Sequence, residues 1–267
     1  MNKTSDIRAS LHKAIEEAST LVKSDFEAAL SNGVSFDEKP SVTGLPDFVT
    51  KTDKRSEETL RAKLYDLYPD IPFIGEESGG TPPEDKGYFL VDPLDGTSNF
   101  TSLRSYFGIC AAYIEQGNVL AAAVADPINN KIFSAEKESG AYLNNRLIHP
   151  LPSSHIDDTL KSTQLECELT FTSEEDFSIV QRVLPALSGL RKSGSVALDL
   201  AYMASGRKTV CLANHLQPYD IAAAMLIARE AGCIVSDFEG KNATINTSAI
   251  IAARQAHHNQ ILSLIKK

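Results

Sequence analysis

At 267 residues, 42% of them hydrophobic and 23% charged, the chain is long enough to bury a sizeable core, as one large domain or two small ones. Its net charge of −9, with Lys and Arg scattered, argues against a nucleic-acid partner, and no apolar run approaches the roughly 18 residues of a spanning helix. The N-terminus is polar, without a secretory apolar core, and Cys110, Cys167, Cys211 and Cys233 lie far apart with no C-x-x-C pair, so buried thiols in a reducing cytoplasm are expected.

Ile7, Leu11, Ala14, Ile15, Ala18, Leu21 and Val22 keep a helical period, predicting an opening helix over residues 5–30. Residues 31–46 hold Gly, Pro and Ser and read as a mobile loop, in which Lys39 either reaches a phosphate or is a solvated charge. A short strand over 47–53 ends in Asp53, and a helix follows with Leu60, Leu64 and Leu67 as its buried stripe and Pro69 as its stop. Asp53 has an ordinary explanation there as an N-cap. A second strand over 71–74 runs into Gly75-Glu76-Glu77-Ser78.

Tyr88 to Val91 then reads as a fully buried strand entering Asp92-Pro93-Leu94-Asp95-Gly96-Thr97. A carboxylate at the end of a buried strand costs free energy unless something positive or hydrogen-bonding meets it, and here there are two. Pro93 stiffens the turn, Gly96 lets backbone approach a ligand, and Thr97 adds an oxygen with a movable proton. Hard cations, which take oxygen ligands, would satisfy such a loop, with a phosphate beyond them. The plainer alternative is an Asp-rich turn capping its own backbone. Asp53, Glu76 and Asp92 all close predicted strands, which points to a common mouth.

Residues 106–115, 119–125, 131–136 and 140–143 predict an antiparallel meander, and 144–158 reads as a boundary. Beyond it helices (174–187, 195–204, 218–231 and a last one to 267) alternate with single strands (209–212, 234–236, 249–252), as in a parallel or mixed sheet. Pro218 suits a first helical turn, and Asp220 beside it is accounted for by the helix dipole alone. The chain thus divides into residues 1–145 and 146–267. The histidines show no metal-ligand spacing, although His215 lies close in sequence to Asp220.

Phe73-Ile-Gly-Glu-Glu-Ser78, Val91-Asp-Pro-Leu-Asp-Gly-Thr97 with Asn99-Phe100, and Pro218-Tyr-Asp-Ile-Ala-Ala-Ala224 resemble the inositol monophosphatase family of magnesium-dependent, lithium-sensitive phosphatases. Val49-Thr-Lys-Thr-Asp53 and Gly194-Ser-Val-Ala-Leu-Asp-Leu-Ala201 add weaker matches, in the family's order over nearly the whole chain. The resemblance implies a layered α-β-α-β-α sandwich, commonly dimeric, with two or three Mg²⁺ per site and a small phosphorylated metabolite as substrate. It implies one metal on Glu76, Asp92 and the Leu94 carbonyl, a second shared by Asp92, Asp95 and Asp220, and a third held weakly by Glu76 and water. Glu76 and Thr97, the latter bonded to Asp53, would prepare the attacking water. Asp95, Gly96, Thr97, Gly194, Ser195, Ala213 and Asp220 would face substrate, and Glu77 would support rather than ligate. The Asp-x-x-Asp spacing excludes the Asp-x-Asp nucleophile of haloacid-dehalogenase-type phosphatases.

The sequence departs from that pattern on the substrate side. Ala213 stands where inositol-specific members carry a Glu that accepts hydrogen bonds from ring hydroxyls, Asn214 and His215 replace the usual neighbours, and 163–171 lacks the expected glycine and aromatic pattern. A roomier, less negative pocket is expected. Histidinol phosphate, a sugar bisphosphate and a nucleotide 3′-phosphate stay open as substrates, as does a regulatory protein on the same fold.

Overall fold

The computed structural model describes residues 3–40, 46–148, 159–207 and 209–266. The first layer is α1 (Lys3–Asn32) with α2 (Lys51–Leu67). They cover one face of a seven-stranded sheet of β3 (Phe73–Gly75), β4 (Tyr88–Asp95), β5 (Gly108–Glu115), β6 (Asn118–Asp126), β7 (Lys131–Glu136), β8 (Ala141–Leu143) and β9 (Arg146–Leu147), in that spatial order. Only β3 and β4 run parallel; every other pair is antiparallel. The opposite face packs on α5 (Val196–Ala204) and α6 (Pro218–Glu230). A five-stranded sheet follows, ordered β11 (Gly189–Arg191), β10 (Gln164–Glu168), β12 (Thr209–Ala213), β14 (Ile250–Arg254) and β13 (Cys233–Ser236), and α4 (Glu174–Val183) and α7 (Gln255–Ile265) close its far side. The α-β-α-β-α sandwich is therefore as expected.

Alternation explains the layering. Along β5, Ile109, Ala111 and Tyr113 face α1 and α2, while Cys110, Ala112 and Ile114 face α5 and α6. A strand buried on both faces reads as one apolar run. The alanines of β6 at positions 121, 122, 123 and 125, all fully buried, let helices approach both faces closely. The central hydrophobic cluster runs from Ile74 to Ala252 and so joins the two halves read from the sequence. All four cysteines are buried free thiols.

Several boundaries differ from the sequence reading. Residues 36–39 form β1 (Phe36–Lys39), paired antiparallel with β2 (Asp47–Thr50), inside what reads as loop; residues 41–45 lie outside those described. The strand before α2 stops at Thr50, which is the N-cap, so Asp53 is the third helical residue and not a strand end. β3 sits at 73–75 rather than 71–74, and β9, β10 and β11 are unforeseen. Of the 144–158 boundary, 149–158 lie outside the described residues, as do His149 and His155.

His258 on α7 is buried, with Nε2 at 2.8 Å from Ser236 Oγ. Desolvation holds its pKa below the usual 6.5. The unfolded chain therefore binds the proton first, and stability present above pH 6.5 is lost as pH falls towards the folded pKa. Urea melts at pH 7.5 and 5.5 are expected to give a smaller drop for His258→Gln than for the wild type; equal drops would contradict this.

Candidate active site

The ligand-rich turn is built into the sheet. β4 pairs with β5 through Asp92↔Cys110 and Asp95↔Gly108, with an irregularity between. Pro93 and Leu94 thus oppose the single residue Ile109, a bulge that suits Pro93, which has no N–H to give the ladder. The extra residue lets Asp92 and Asp95, three apart in sequence, emerge on one face as two-apart residues would. Leu94 turns the other way, into the core under α1. Ser56 on α2 donates to the Pro93 carbonyl at 2.8 Å, and Asp92 Oδ1 accepts the Leu94 N–H at 2.9 Å, fixing the bulge from both sides.

Glu76 leaves β3 beside Asp92, close enough for each carboxyl group to act on the other. Asp220 is the third residue of α6, its Oδ2 accepting the Gln217 N–H at 2.7 Å in a capping box. Asp95 Oδ2 takes Ser195 O–H at 2.5 Å and Ala197 N–H at 3.0 Å, tying the turn to α5. Burial lifts the Asp92 carboxyl well above the usual range, and Glu76, Asp95 and Asp220 push it further. Asp220 is likewise raised by burial, then by Asp95 and Glu76 against the Gln217 N–H. Asp95 rises to about 7, burial outweighing its donors Ser195 and Ala197, with Glu168 and Glu76 adding to it.

Among the described residues, no three acidic, His or Cys side chains converge closely enough to form a ready ligand cage. Lys39 meets one member of the set, its ammonium lying 2.6 Å from Glu76 and 2.8 Å from the neighbouring Glu77. Lys39 is thus neither loop-borne nor a solvated charge. The donor set still fits a hard divalent cation: carboxylates and one carbonyl, all oxygen, buried together, and raised by one another's charge. Glu76, Asp92, Asp95, Asp220 and the Leu94 carbonyl are the groups that could hold it.

Asp53 is fully buried. Its Oδ2 accepts Thr50 N–H at 2.9 Å and Thr50 O–H at 2.5 Å, and its Oδ1 accepts the Thr97 hydroxyl at 2.9 Å. Thr97 Oγ1 also lies 3.0 Å from the Leu94 carbonyl. With one proton and two acceptors, its lone pairs are left for another donor. Gly96 has φ +98, and a Cβ there would meet the Gly194 carbonyl at 2.9 Å, so only glycine lets these two segments touch. Ala213 is wholly buried on β12 and packs in the central core. The region is not stripped of negative charge, because Glu168 stands opposite Ala213 on β10. His215 is turned to Thr172, at 3.0 Å.

The sequence reading gives two supports no role. Glu57, one helical turn beyond Asp53, accepts the Glu77 N–H at 3.0 Å and so holds the Glu76 loop. Its place at i+4 from Asp53 is the signal that could have found it. Asn99 donates to the carbonyls of Tyr106 at 2.6 Å and Ser193 at 2.7 Å, stapling the two halves. A Cβ on Gly75 would lie 2.1 Å from Glu57 Oε2. Gly75→Ala is therefore expected to displace Glu57 and cost about 1–3 kcal/mol; denaturant midpoints within error of wild type would refute it.

Residues 4–267 match the model of the inositol monophosphatase family. A Nus factor SuhB of Vibrio cholerae is 34% identical over 84% of this chain and 84% of its own length. An inositol-1-monophosphatase of Mesorhizobium japonicum is 31% identical over 85% and 86%. The crystal structure of the extragenic suppressor protein SuhB from Bartonella henselae superposes with a TM-score of 0.88 at 29% identity, covering 98% of this chain and 99% of that one.

Proposed function

This chain belongs to the inositol monophosphatase family, and from that premise we propose that it is a Mg²⁺-dependent phosphomonoesterase that hydrolyses a small soluble phosphate ester with water as nucleophile. The observation that carries this reading is the Asp92–Asp95 bulge, which turns two buried carboxylates to one face beside Glu76 and Asp220.

Divalent ions held by Glu76, Asp92, the Leu94 carbonyl, Asp95 and Asp220 would supply charge neutralisation and Lewis acidity at the phosphoryl group. The protein's own groups do the rest. Thr97, its proton given to Asp53 or Leu94, offers a lone pair to the attacking water and orients it. Glu76 takes the proton; burial raises its carboxyl above the usual range, which strengthens it as a base, and the Lys39 ammonium beside it opposes that rise. Gly96, at φ +98, turns the chain into the short helix α3 (Thr97–Thr101), whose first N–H groups would bind the phosphate. No side-chain nucleophile is used, so no phosphoenzyme forms.

Phosphate release from a panel of monoesters, with and without Mg²⁺, tests this reading. Activity without divalent cation would overturn it. Lithium at millimolar levels is expected to inhibit, and Ca²⁺, larger and less exacting in geometry, to bind without supporting turnover. Rates unchanged by LiCl at constant ionic strength, or full activity with Ca²⁺ alone, would contradict those expectations. Ala213 offers no acceptor of its own, so myo-inositol 1-phosphate is expected to lead the panel only if a residue beside β12 accepts its ring hydroxyls. A homodimer in the cytoplasm is part of the same proposal; among the described residues no helix is long and apolar enough to cross a membrane.

A second reading is favoured by the names of relatives such as the Vibrio cholerae Nus factor SuhB. A Nus-factor role would sit beside catalysis, since Glu76, Asp92, Asp95 and Asp220 are all retained. The expectation of no nucleic-acid partner, drawn from charge alone, gains no support from these names.

A further inference from the structure

Glu168 is the acid beside this centre to which the reaction gives no task. It ends β10, parallel to β12 and in register with Ala213. Leu165 and Cys167 alternate with it into the core under α4 and α7, so Glu168 points to the opposite face, towards α5. Its side chain is 10% exposed. The two carboxylate oxygens differ sharply. Oε1 accepts Ser193 N–H at 2.6 Å, Gly194 N–H at 2.9 Å and Ser193 O–H at 3.1 Å. Among the described residues Oε2 meets only Lys192 Nζ, an ion pair at 3.7 Å that is beyond hydrogen-bond reach. Oε1 is thus saturated and Oε2 is an open acceptor. The next residue, Ser195, donates to Asp95, and the Gly194 carbonyl abuts Gly96. Glu168 is therefore anchored to the same three-residue wall that meets the candidate phosphate loop.

We propose that Glu168 is a specificity-determining residue, its Oε2 accepting a hydrogen bond from a hydroxyl or ammonium group on the leaving alcohol, so that the site takes monophosphates of polyols or amino alcohols over those of simple alcohols. This rests on the phosphomonoesterase reading above. A buried carboxylate with one oxygen lacking a hydrogen bond favours a ligand that brings a donor over a donor-free alcohol. The acceptor that position 213 lacks on β12 is present one strand away, at the same height in the sheet.

The test uses the full chain with Mg²⁺ and three esters of similar size: isopropyl phosphate, glycerol 2-phosphate and phosphoethanolamine. Wild type is expected to prefer at least one donor-bearing ester over isopropyl phosphate by about tenfold or more in kcat/KM. Glu168→Gln keeps a carbonyl for the Ser193 and Gly194 N–H groups. It is expected to lower kcat/KM for the preferred ester by about tenfold and leave isopropyl phosphate within about twofold. A larger loss for phosphoethanolamine identifies an ammonium donor, and a larger loss for glycerol 2-phosphate a hydroxyl. Equal loss on all three esters would make Glu168 a prop for the Ser193–Ser195 wall and overturn the proposal. So would a wild type indifferent to the donor, a comparison that requires no variant. If wild type hydrolyses none of a wide panel of monoesters, it is the phosphomonoesterase reading that falls, and this one with it.

Discussion

Replacing Asp95 by Asn is expected to slow phosphate release by roughly a thousandfold, about 4 kcal/mol of barrier, without unfolding the protein. The Asn carbonyl can still accept the Ser195 O–H and Ala197 N–H, which lie at 2.5 and 3.0 Å from Oδ2, so the link from β4 to α5 survives. The negative charge does not. That charge is costly where it stands, as the rise of the carboxyl to about 7 attests, because burial and the neighbouring acids oppose it. Relieving it should raise the melting temperature in chelator and shrink the further rise produced by Mg²⁺. Phosphate release and melting curves with and without Mg²⁺ measure both effects. A variant that retains a tenth of wild-type turnover would remove Asp95 from the centre.

Asp53→Asn is expected to lower kcat by roughly a hundredfold and to cost about 1–2 kcal/mol of stability. Both carboxylate oxygens accept hydrogen bonds: Oδ1 from Thr97, and Oδ2 from Thr50 N–H and O–H. An amide has one acceptor and one donor, so it must oppose either the Thr97 hydroxyl or the helix cap. If the cap wins, Thr97 loses the partner that fixes its proton; if Thr97 wins, the first turn of α2 frays. Thr97→Ala separates the two contributions, since it leaves the cap alone and should reproduce the kinetic loss without the full stability loss. Equal kinetics for wild type and Asp53→Asn would exclude the Asp53–Thr97 pair from the reaction.

The double-aspartate turn was legible because two carboxylates closing a buried strand have few inexpensive explanations. The family motifs around it then fixed the order of layers. Asp53 was placed at a strand end because Asp47 to Thr50 alternates like a strand, and the register of the cap, Thr50 rather than Asp53, depends on backbone dihedrals that composition does not encode. β10 went unseen although Leu165 and Cys167 alternate with polar residues, since five residues give a weak period-2 signal. The missing acid at position 213 was visible in the sequence. Its neighbour Glu168 was not, because parallel pairing across 45 residues is set by the whole sheet. Lys39 shows the same limit: only the β1–β2 pairing brings an apparently loop-borne cation to Glu76.

The bulge also divides the site by timescale. Asp92 and Asp95 leave from a ladder interior to the seven-stranded sheet, covered on both faces, so their amides should exchange with solvent only through near-global opening. Lys39 sits on a two-stranded hairpin whose first strand is largely exposed, and such a unit opens at little cost. In hydrogen exchange the carboxylate wall should behave as part of the slowest cooperative unit and the lysine that covers it as part of the fastest. A ligand entering this site would then wait on the hairpin and never on the sheet.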